Sequence, residues 1–123
     1  MSSTAALRVQ DKLGLIAGPG KLQQKITEAR RRLARINNNR WRSPLAPGRI
    51  KRFLYGEQKP EFEEVDDIRE AYQQFCDEKV RLAKRVLANI EYAQRTDPEM
   101  YGPQIEQLIA VLDQLRPFLH GRL

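Results

Sequence analysis

The spacing of the apolar residues is the feature that most limits how this chain can fold. Large apolar side chains recur at intervals of three and four residues in several segments, and this interval places them on one face of an α-helix. The last segment is the clearest example, with a stripe made of Ile105, Leu108, Leu112, Leu115 and Leu119. A charge-rich chain of 123 residues with such stripes is typical of an all-α protein, and we predict that class.

Four helices are predicted from these stripes and from the prolines that flank them. The first covers residues 21–36 and the second covers 47–55. A third, long helix follows Pro60 and ends at Asp97, and a fourth begins at Pro103, because proline is favoured in a first helical turn. We expect the third and fourth helices to form an antiparallel hairpin. The stripe of the third helix is expected to contain Phe62, Val65, Ile68, Tyr72, Phe75, Leu82, Val86, Ile90 and Ala93.

Two polar residues, Lys79 and Asn89, stand where the stripe of the third helix requires apolar side chains. One interpretation is that they fix the register of a paired helix. The other is that the stripe drifts around a long helix, because 3.6 residues per turn do not match a strict seven-residue repeat.

The chain between the first two helices contains the main signals that end a helix. Asn37, Asn38 and Asn39 are predicted to end the first helix, because asparagine side chains compete for backbone hydrogen bonds. Gly56 is predicted to cap the second helix in the left-handed conformation. Trp41 is expected in the core together with Leu45, and base stacking is the less favoured role for the tryptophan.

These elements divide the chain into three regions. Residues 1–19 are predicted to form an N-terminal arm that is mobile unless it docks on a partner. Residues 20–60 form a basic region of the kind that binds DNA. Residues 61–123 form the helical hairpin, which is expected to serve as a dimerisation or packing element. The predicted architecture is therefore a small, basic, helix-turn-helix-like N-terminal half followed by a long hairpin.

The charge of the chain is concentrated at one end. The net charge is +6. Residues 1–56 carry 13 Lys and Arg against two Asp and Glu, whereas residues 57–123 carry nine against 14. A surface that is merely soluble mixes its signs, so this asymmetry indicates that the basic half binds a polyanion.

Several classes of function do not fit the composition. A single cysteine, Cys76, cannot form an internal disulfide or a thiolate-rich zinc site, and a single histidine, His120, cannot supply a multi-histidine metal site. The adjacent carboxylates Asp66 and Asp67 diverge on a helix, so we interpret them as surface residues. We expect no catalytic constellation, no cofactor, no small-molecule substrate and no membrane span. The N-terminus does not resemble a signal peptide, so a cytoplasmic protein is expected.

The stretch from Arg49 to Tyr72 resembles the second half of the lambda-repressor-like, or XRE-type, helix-turn-helix regulators. In that family a recognition helix ends at a glycine, a short basic connector with a proline follows, and the next helix packs on the recognition helix. Gly56 corresponds to the glycine and Pro60 to the connector proline. The resemblance implies two packing faces, one made of Ile50, Phe53 and Leu54 and the other of Val65, Ile68 and Ala71.

The function predicted from these features is binding of double-stranded DNA by a homodimeric transcriptional regulator. The helix 47–55 would enter the major groove, where arginine can donate two hydrogen bonds to guanine. The candidates for base edges or phosphates are Arg49, Lys51 and Arg52. The candidates for phosphate neutralisation are Arg30, Arg31, Arg35, Arg40, Arg42 and Lys59.

The alternative function is that of a protein-binding adaptor or inhibitor. In this hypothesis the hairpin 61–123 is the working surface and the basic half docks on an acidic partner. The two hypotheses differ in their expected binding to duplex DNA at physiological salt, which an adaptor would lack.

Overall fold

The computed structural model describes residues 8–119, and in this range the regular secondary structure is helical, with no β-strand. The all-α prediction is confirmed. Five α-helices are present in the described range, followed by a 3₁₀ turn. Their bounds are α1 Val9–Ala17, α2 Leu22–Asn39, α3 Pro47–Leu54, α4 Phe62–Thr96 and α5 Gly102–Leu115, with the 3₁₀ turn at Arg116–Phe118.

The chain forms two compact units, which are described separately. The first extends to Gln74 and the second begins at Phe75, so the division falls inside α4. In the first unit, α1, α2 and α3 each pack against the other two. Each helix buries one apolar stripe, as expected for amphipathic helices around a shared core. The largest fully buried side chains of this core are Leu13, Ile16, Leu33, Ile50, Phe53 and Ile68.

Helix α1 lies within the segment that was predicted as an N-terminal arm. Leu13 and Ile16 have almost no exposed surface, and both belong to the core of the first unit. Burying a large aliphatic side chain stabilises a fold by about 1.5–3 kcal/mol, so both contacts favour the docking of this nine-residue helix on the core. Residues 9–17 therefore belong to the folded unit. The rest of the predicted arm, residues 1–7, lies outside the described residues.

Helix α2 extends three residues beyond its predicted end. It includes Asn37, Asn38 and Asn39, which were predicted to end it. The side chain of Asn37 is buried, and its Nδ2 donates to Oδ2 of Asp67 at 2.8 Å. Because this side chain is engaged by a residue of α4, it does not compete for the helical backbone.

Helices α2 and α3 end in the same hydrogen-bond pattern, the Schellman motif. At the end of α3, the N–H of Gly56 donates to the carbonyl of Phe53 (3.1 Å) and the N–H of Glu57 donates to that of Arg52 (2.8 Å). Gly56 has a φ of 71°, so the prediction of a left-handed glycine cap is confirmed.

The buried stripe of α4 differs in part from the predicted one. Phe62 is 87% exposed, Leu82 and Asn89 are exposed, and Tyr72 is only half-buried. The stripe moves sideways from Lys79 to Val80, as the drift interpretation expects for a long helix. The residues that are buried along α4 are Asp67, Ile68, Ala71, Phe75, Cys76, Val80, Ala83, Val86, Ile90 and Ala93.

The second unit contains the rest of α4, then α5 and the 3₁₀ turn. The rings of Phe75 and Phe118 meet edge to face, with centroids 5.4 Å apart and planes at 82°. The stripe of α5 ends at Leu115, the last residue of this helix. The chain then continues as the tighter 3₁₀ turn, because Pro117 has no backbone N–H for an α-helical hydrogen bond. The antiparallel pairing of α4 with α5 stays a prediction.

Within residues 8–119, no helix combines the length and the apolar character that crossing a membrane requires.

Candidate nucleic-acid interface

Helix α3 is a short basic helix with one buried and one exposed face. Pro47 begins it at a position that suits proline, and the cap at Gly56 ends it. Ile50 and Phe53 point into the core of the first unit. Lys51 and Arg52 are exposed, on the side of the helix that faces solvent. The same exposed face includes Gly48 and Tyr55 at helical spacing.

Arg49, a predicted base-contacting residue, is engaged within the protein. Its Nε and Nη2 donate to the two carboxylate oxygens of Glu64 at 2.5 and 2.8 Å, in a bidentate ion pair. Its guanidinium also lies 5.1 Å from the ring centroid of Phe53. Hydrogen bonding between the two side chains raises the pKa of Arg49 and lowers that of Glu64. The donors that would recognise guanine are therefore already in use.

Arg40 and Arg42 converge on one buried carboxylate, that of Asp67. Nη1 of Arg40 lies 2.8 Å from Oδ1 of Asp67 and 2.6 Å from Oδ2 of Asp66, and Nη1 of Arg42 donates to the same Oδ1 of Asp67. Hydrogen bonding to Asp67 is the main cause that raises the pKa of Arg40. Asp67 also accepts from Asn37, so this cluster joins the C-terminal end of α2 to α4.

The buried position of Asp67 corrects its assignment to the surface. Its side chain is 3% exposed, whereas that of Asp66 is 57% exposed. Asp67 and Asn37 are structural residues that the sequence analysis missed. The one indication of their burial in the sequence was their position beside apolar stripe residues. Asp67 precedes Ile68 in α4, and Asn37 follows Ile36 in α2.

The three predicted arginines of α2 lie on its exposed side. Nε of Arg30 donates to the backbone carbonyl of Leu45 at 2.9 Å, which attaches the loop 40–46 to α2. Arg31 forms an ion pair with Glu28 at 2.5 Å and is the main cause that lowers the pKa of this carboxyl. Arg35 is exposed.

The remaining predicted cations are the ones most available to bind a ligand. Lys51, Arg52 and Lys59 are exposed, and no carboxylate of the described residues lies within 4.0 Å of their charged groups. The same is true of Arg30. The Nε atom of Arg52 donates to Oε1 of Gln58 at 2.9 Å, which orients the guanidinium without neutralising it.

Apart from Lys59, the predicted cations belong to a continuous stretch, residues 29–56, which we call the basic segment. It contains nine Lys and Arg and no Asp or Glu. The carboxylates that lie closest to Arg40, Arg42 and Arg49 come from α4. A groove of about 340 Å³ lies between α2 and the loop that precedes α3. Its walls include Arg30, Arg31, Pro44 and Pro47.

Trp41 occupies an unexpected place at the centre of the basic segment. It was predicted to be buried, but its side chain is 96% exposed, and Leu45, also predicted in the core, is only half-buried. Trp41 falls outside the apolar stripe of α2, between two arginines that are both directed to α4. The residues three and four positions before Trp41 are asparagines, so Trp41 does not continue the apolar stripe of α2, and this was the signal that could have indicated its exposure.

No family model, no curated protein and no solved structure matches this chain. Among residues 8–119, no group of three or more His, Cys, Asp or Glu side chains is arranged to hold a metal ion. Cys76 is a buried free thiol, and His120 lies outside the described residues. The function must therefore be inferred from the basic segment itself.

Proposed function

We propose that this protein binds double-stranded DNA through the exposed face of α3 and acts as a cytoplasmic transcriptional regulator. The observation that supports this proposal is that some cations of the basic segment are paired with carboxylates and others are not. Arg40, Arg42 and Arg49 are explained by their ion pairs with α4, but Lys51 and Arg52 have no carboxylate partner among the described residues. Two unpaired cations on one exposed helical face suit the phosphates and base edges of a major groove.

The interface that we propose assigns different roles to these residues. Arg52 is the candidate for a bidentate contact with guanine, because its guanidinium is exposed and oriented by Gln58. Lys51, Arg30 and Lys59 are candidates for phosphate contacts, which fix the register of a protein on duplex DNA. The ion pair of Arg49 with Glu64 then acts indirectly, by holding α3 against α4.

A helix-turn-helix-like arrangement is part of the proposal. Helices α2 and α3 pack together, and the loop 40–46 between them is longer than the usual turn of about three to four residues. The stretch that resembles XRE-type regulators begins inside α3, and Gly56 caps the C-terminal end of that helix. The packing of α2 on α3 and the glycine cap of α3 support α3 as the recognition helix.

Dimerisation through the second unit completes the proposal. In the single chain, Ile105, Leu108 and Leu112 are only half-buried, and Ile109 and Val111 are exposed. A second copy that covers this surface of α5 would present two α3 helices to two half-sites about one helical turn apart, roughly 34 Å.

The test is fluorescence anisotropy of mixed genomic duplex fragments, titrated with the protein at several salt concentrations. We expect binding that weakens steeply with salt, because each phosphate contact releases condensed counterions. The double variant Lys51→Ala, Arg52→Ala should reduce affinity at least tenfold and flatten the salt dependence by about one unit of slope, because Lys51 is the phosphate contact of the pair.

The chain contains a matched control for this variant. Lys84 and Arg85 form the same exposed Lys-Arg pair on α4, so Lys84→Ala, Arg85→Ala removes the same charge from the second unit. This control should bind duplex DNA as the unmodified protein does. Equal losses in the two double variants would show a nonspecific effect of net charge and would contradict the assignment to α3.

The exposed apolar residues of the second unit support the adaptor as a second candidate. They are Leu82, Tyr92, Met100, Ile109 and Val111. A complete lack of duplex binding at low salt would favour this function, and the partner would then bind the second unit.

A further inference from the structure

The backbone of Trp41 is held in a conformation that tryptophan rarely adopts. Its φ is 59°, and it is the one residue other than glycine with a positive φ in residues 8–119. The N–H of Trp41 donates to the carbonyl of Asn38 at 3.2 Å, and the N–H of Arg42 donates to that of Asn37 at 2.8 Å. Trp41 thus occupies the position of a Schellman motif that glycine usually fills, and that Gly56 fills at the end of α3.

Packing does not explain why tryptophan is present at this position. The side chain is 96% exposed, so it contributes almost no burial to compensate for the left-handed backbone. A glycine or an asparagine would form the same turn with less strain. Residues whose strained backbone is not explained by packing are concentrated at binding sites. This conformation therefore indicates that the indole contacts a molecule outside the chain.

The surroundings of Trp41 indicate the chemistry of its partner. Arg40 and Arg42 on either side are held by Asp67, so the turn that presents the indole is fixed at both ends. Trp41 lies near the middle of the basic segment, which has nine cations and no carboxylate. An aromatic face among cations fits a polyanion that also offers flat apolar surfaces, and duplex DNA has both phosphates and the faces of its sugars and bases.

We propose that Trp41 is a DNA-contacting residue that packs its indole on a deoxyribose or an unstacked base beside the groove that α3 enters. The loop that carries Trp41 leads directly into α3, so both can contact one DNA segment. This inference rests on the proposed function and extends it by adding an apolar contact outside the recognition helix.

The chain contains one tryptophan, so its intrinsic fluorescence reports on Trp41 alone. The experiment uses a duplex that carries a fluorophore whose excitation lies outside the range of the indole. Anisotropy of the fluorophore then measures binding, while tryptophan emission and its quenching by acrylamide measure the exposure of the indole. With saturating duplex we expect quenched emission and a several-fold lower acrylamide quenching constant.

The two readouts separate the failure of this inference from that of the proposed function. An increase in anisotropy with unchanged tryptophan emission and unchanged acrylamide quenching would overturn the role of Trp41, while DNA binding by α3 would stand. An absence of any anisotropy change at low salt would overturn the proposed function and this inference together.

Substitutions distinguish a DNA contact from a structural role. Trp41→Asn should reduce duplex affinity about tenfold, in the range measured for the loss of a stacking aromatic residue. It should not lower the melting temperature, because asparagine tolerates the left-handed conformation. Trp41→Phe should retain most of the affinity.

The control Tyr92→Ala removes an exposed aromatic side chain from the second unit and should bind as the unmodified protein does. Unchanged affinity of Trp41→Asn, with or without a lower melting temperature, would overturn the inference.

Discussion

At the scale of single residues, the carboxylates of α4 decide which arginines of the basic segment can meet a ligand. Glu64 engages Arg49, and Asp67 engages Arg40 and Arg42. Removing one partner of a buried ion pair leaves an uncompensated charge, so these arginines contribute to stability as well as to net charge. The exposed pair Lys51 and Arg52 has no such role, which makes it the better target for tests of binding.

The Glu64–Arg49 ion pair gives a prediction for the pH dependence of stability. The pKa of Glu64 is lowered in the folded state, mainly by its hydrogen bonds with Arg49. Its contribution is therefore present above the unfolded pKa of about 4.3 and is lost as the pH falls toward the lower folded pKa. Glu64→Gln should reduce the free energy of unfolding by about 1–2 kcal/mol at pH 7, and the deficit should shrink as the pH falls below about 4.

Urea denaturation at pH 7, 5, 4 and 3 measures this difference. The control is Glu61→Gln, since Glu61 also approaches Arg49, at 4.0 Å, but is 82% exposed and should change stability little. A deficit for Glu64→Gln that stays constant down to pH 3 would contradict the role assigned to this ion pair.

At the scale of the elements, the ends of the helices position the interface. Gly56 ends α3 with a φ of 71°, and a Cβ atom at this position would lie 3.1 Å from Nε2 of Gln10. That same Nε2 donates to the carbonyl of Leu54 at 3.0 Å. The Gln10 side chain, from α1, is thus held against the C-terminal end of α3 and has little room to move. The C-terminal end of α3, which carries the basic face, therefore contacts α1 through Gln10.

Two glycine substitutions should change stability in opposite directions. Gly56→Ala should lower the free energy of unfolding by about 1–2 kcal/mol, because alanine is strained in the left-handed region. Gly14→Ala lies in the interior of α1 with no atom within 4 Å of the added Cβ, and it should raise the free energy of unfolding by roughly 0.5–1 kcal/mol. Thermal and urea denaturation measure both effects, and a loss of stability in Gly14→Ala would show that α1 is not helical there.

At the scale of the whole molecule, the two units carry different kinds of surface. The first contains the basic segment, whereas the second contains most of the exposed large apolar residues. This division is what a regulator needs if one part binds DNA and the other part binds a second copy of the chain.

The oligomeric state tests this division. Ile109 is 41% exposed on α5, so Ile109→Glu should leave the fold intact and shift a dimer toward a monomer. Because a two-fold site binds both protomers at once, the same variant should also lose affinity for a two-half-site duplex. Sedimentation equilibrium measures the mass, and Gln107→Glu is the control that adds the same charge without removing an apolar contact. A monomeric unmodified protein would refute dimerisation.

The sequence by itself was sufficient for the helical class and for the core faces of α2 and α3. Apolar side chains at intervals of three and four leave only one face to bury, and this local rule predicted Leu33, Ile50 and Phe53 in the core. Gly56 was predictable for the same reason, because a left-handed cap is a property of a single residue and its neighbours.

Only the tertiary structure decided which polar groups would be paired and which apolar group would stay exposed. Asp67 is buried because Asn37, Arg40 and Arg42 reach it from α2 and the following loop, across about 30 residues of chain. The same contacts extend α2 through Asn39 and fix the turn in which Trp41 is exposed. Such pairings depend on which helices meet, so no spacing within one helix can predict them. For this reason the charge of the basic segment was evident from the sequence, but the cations available to a ligand were not.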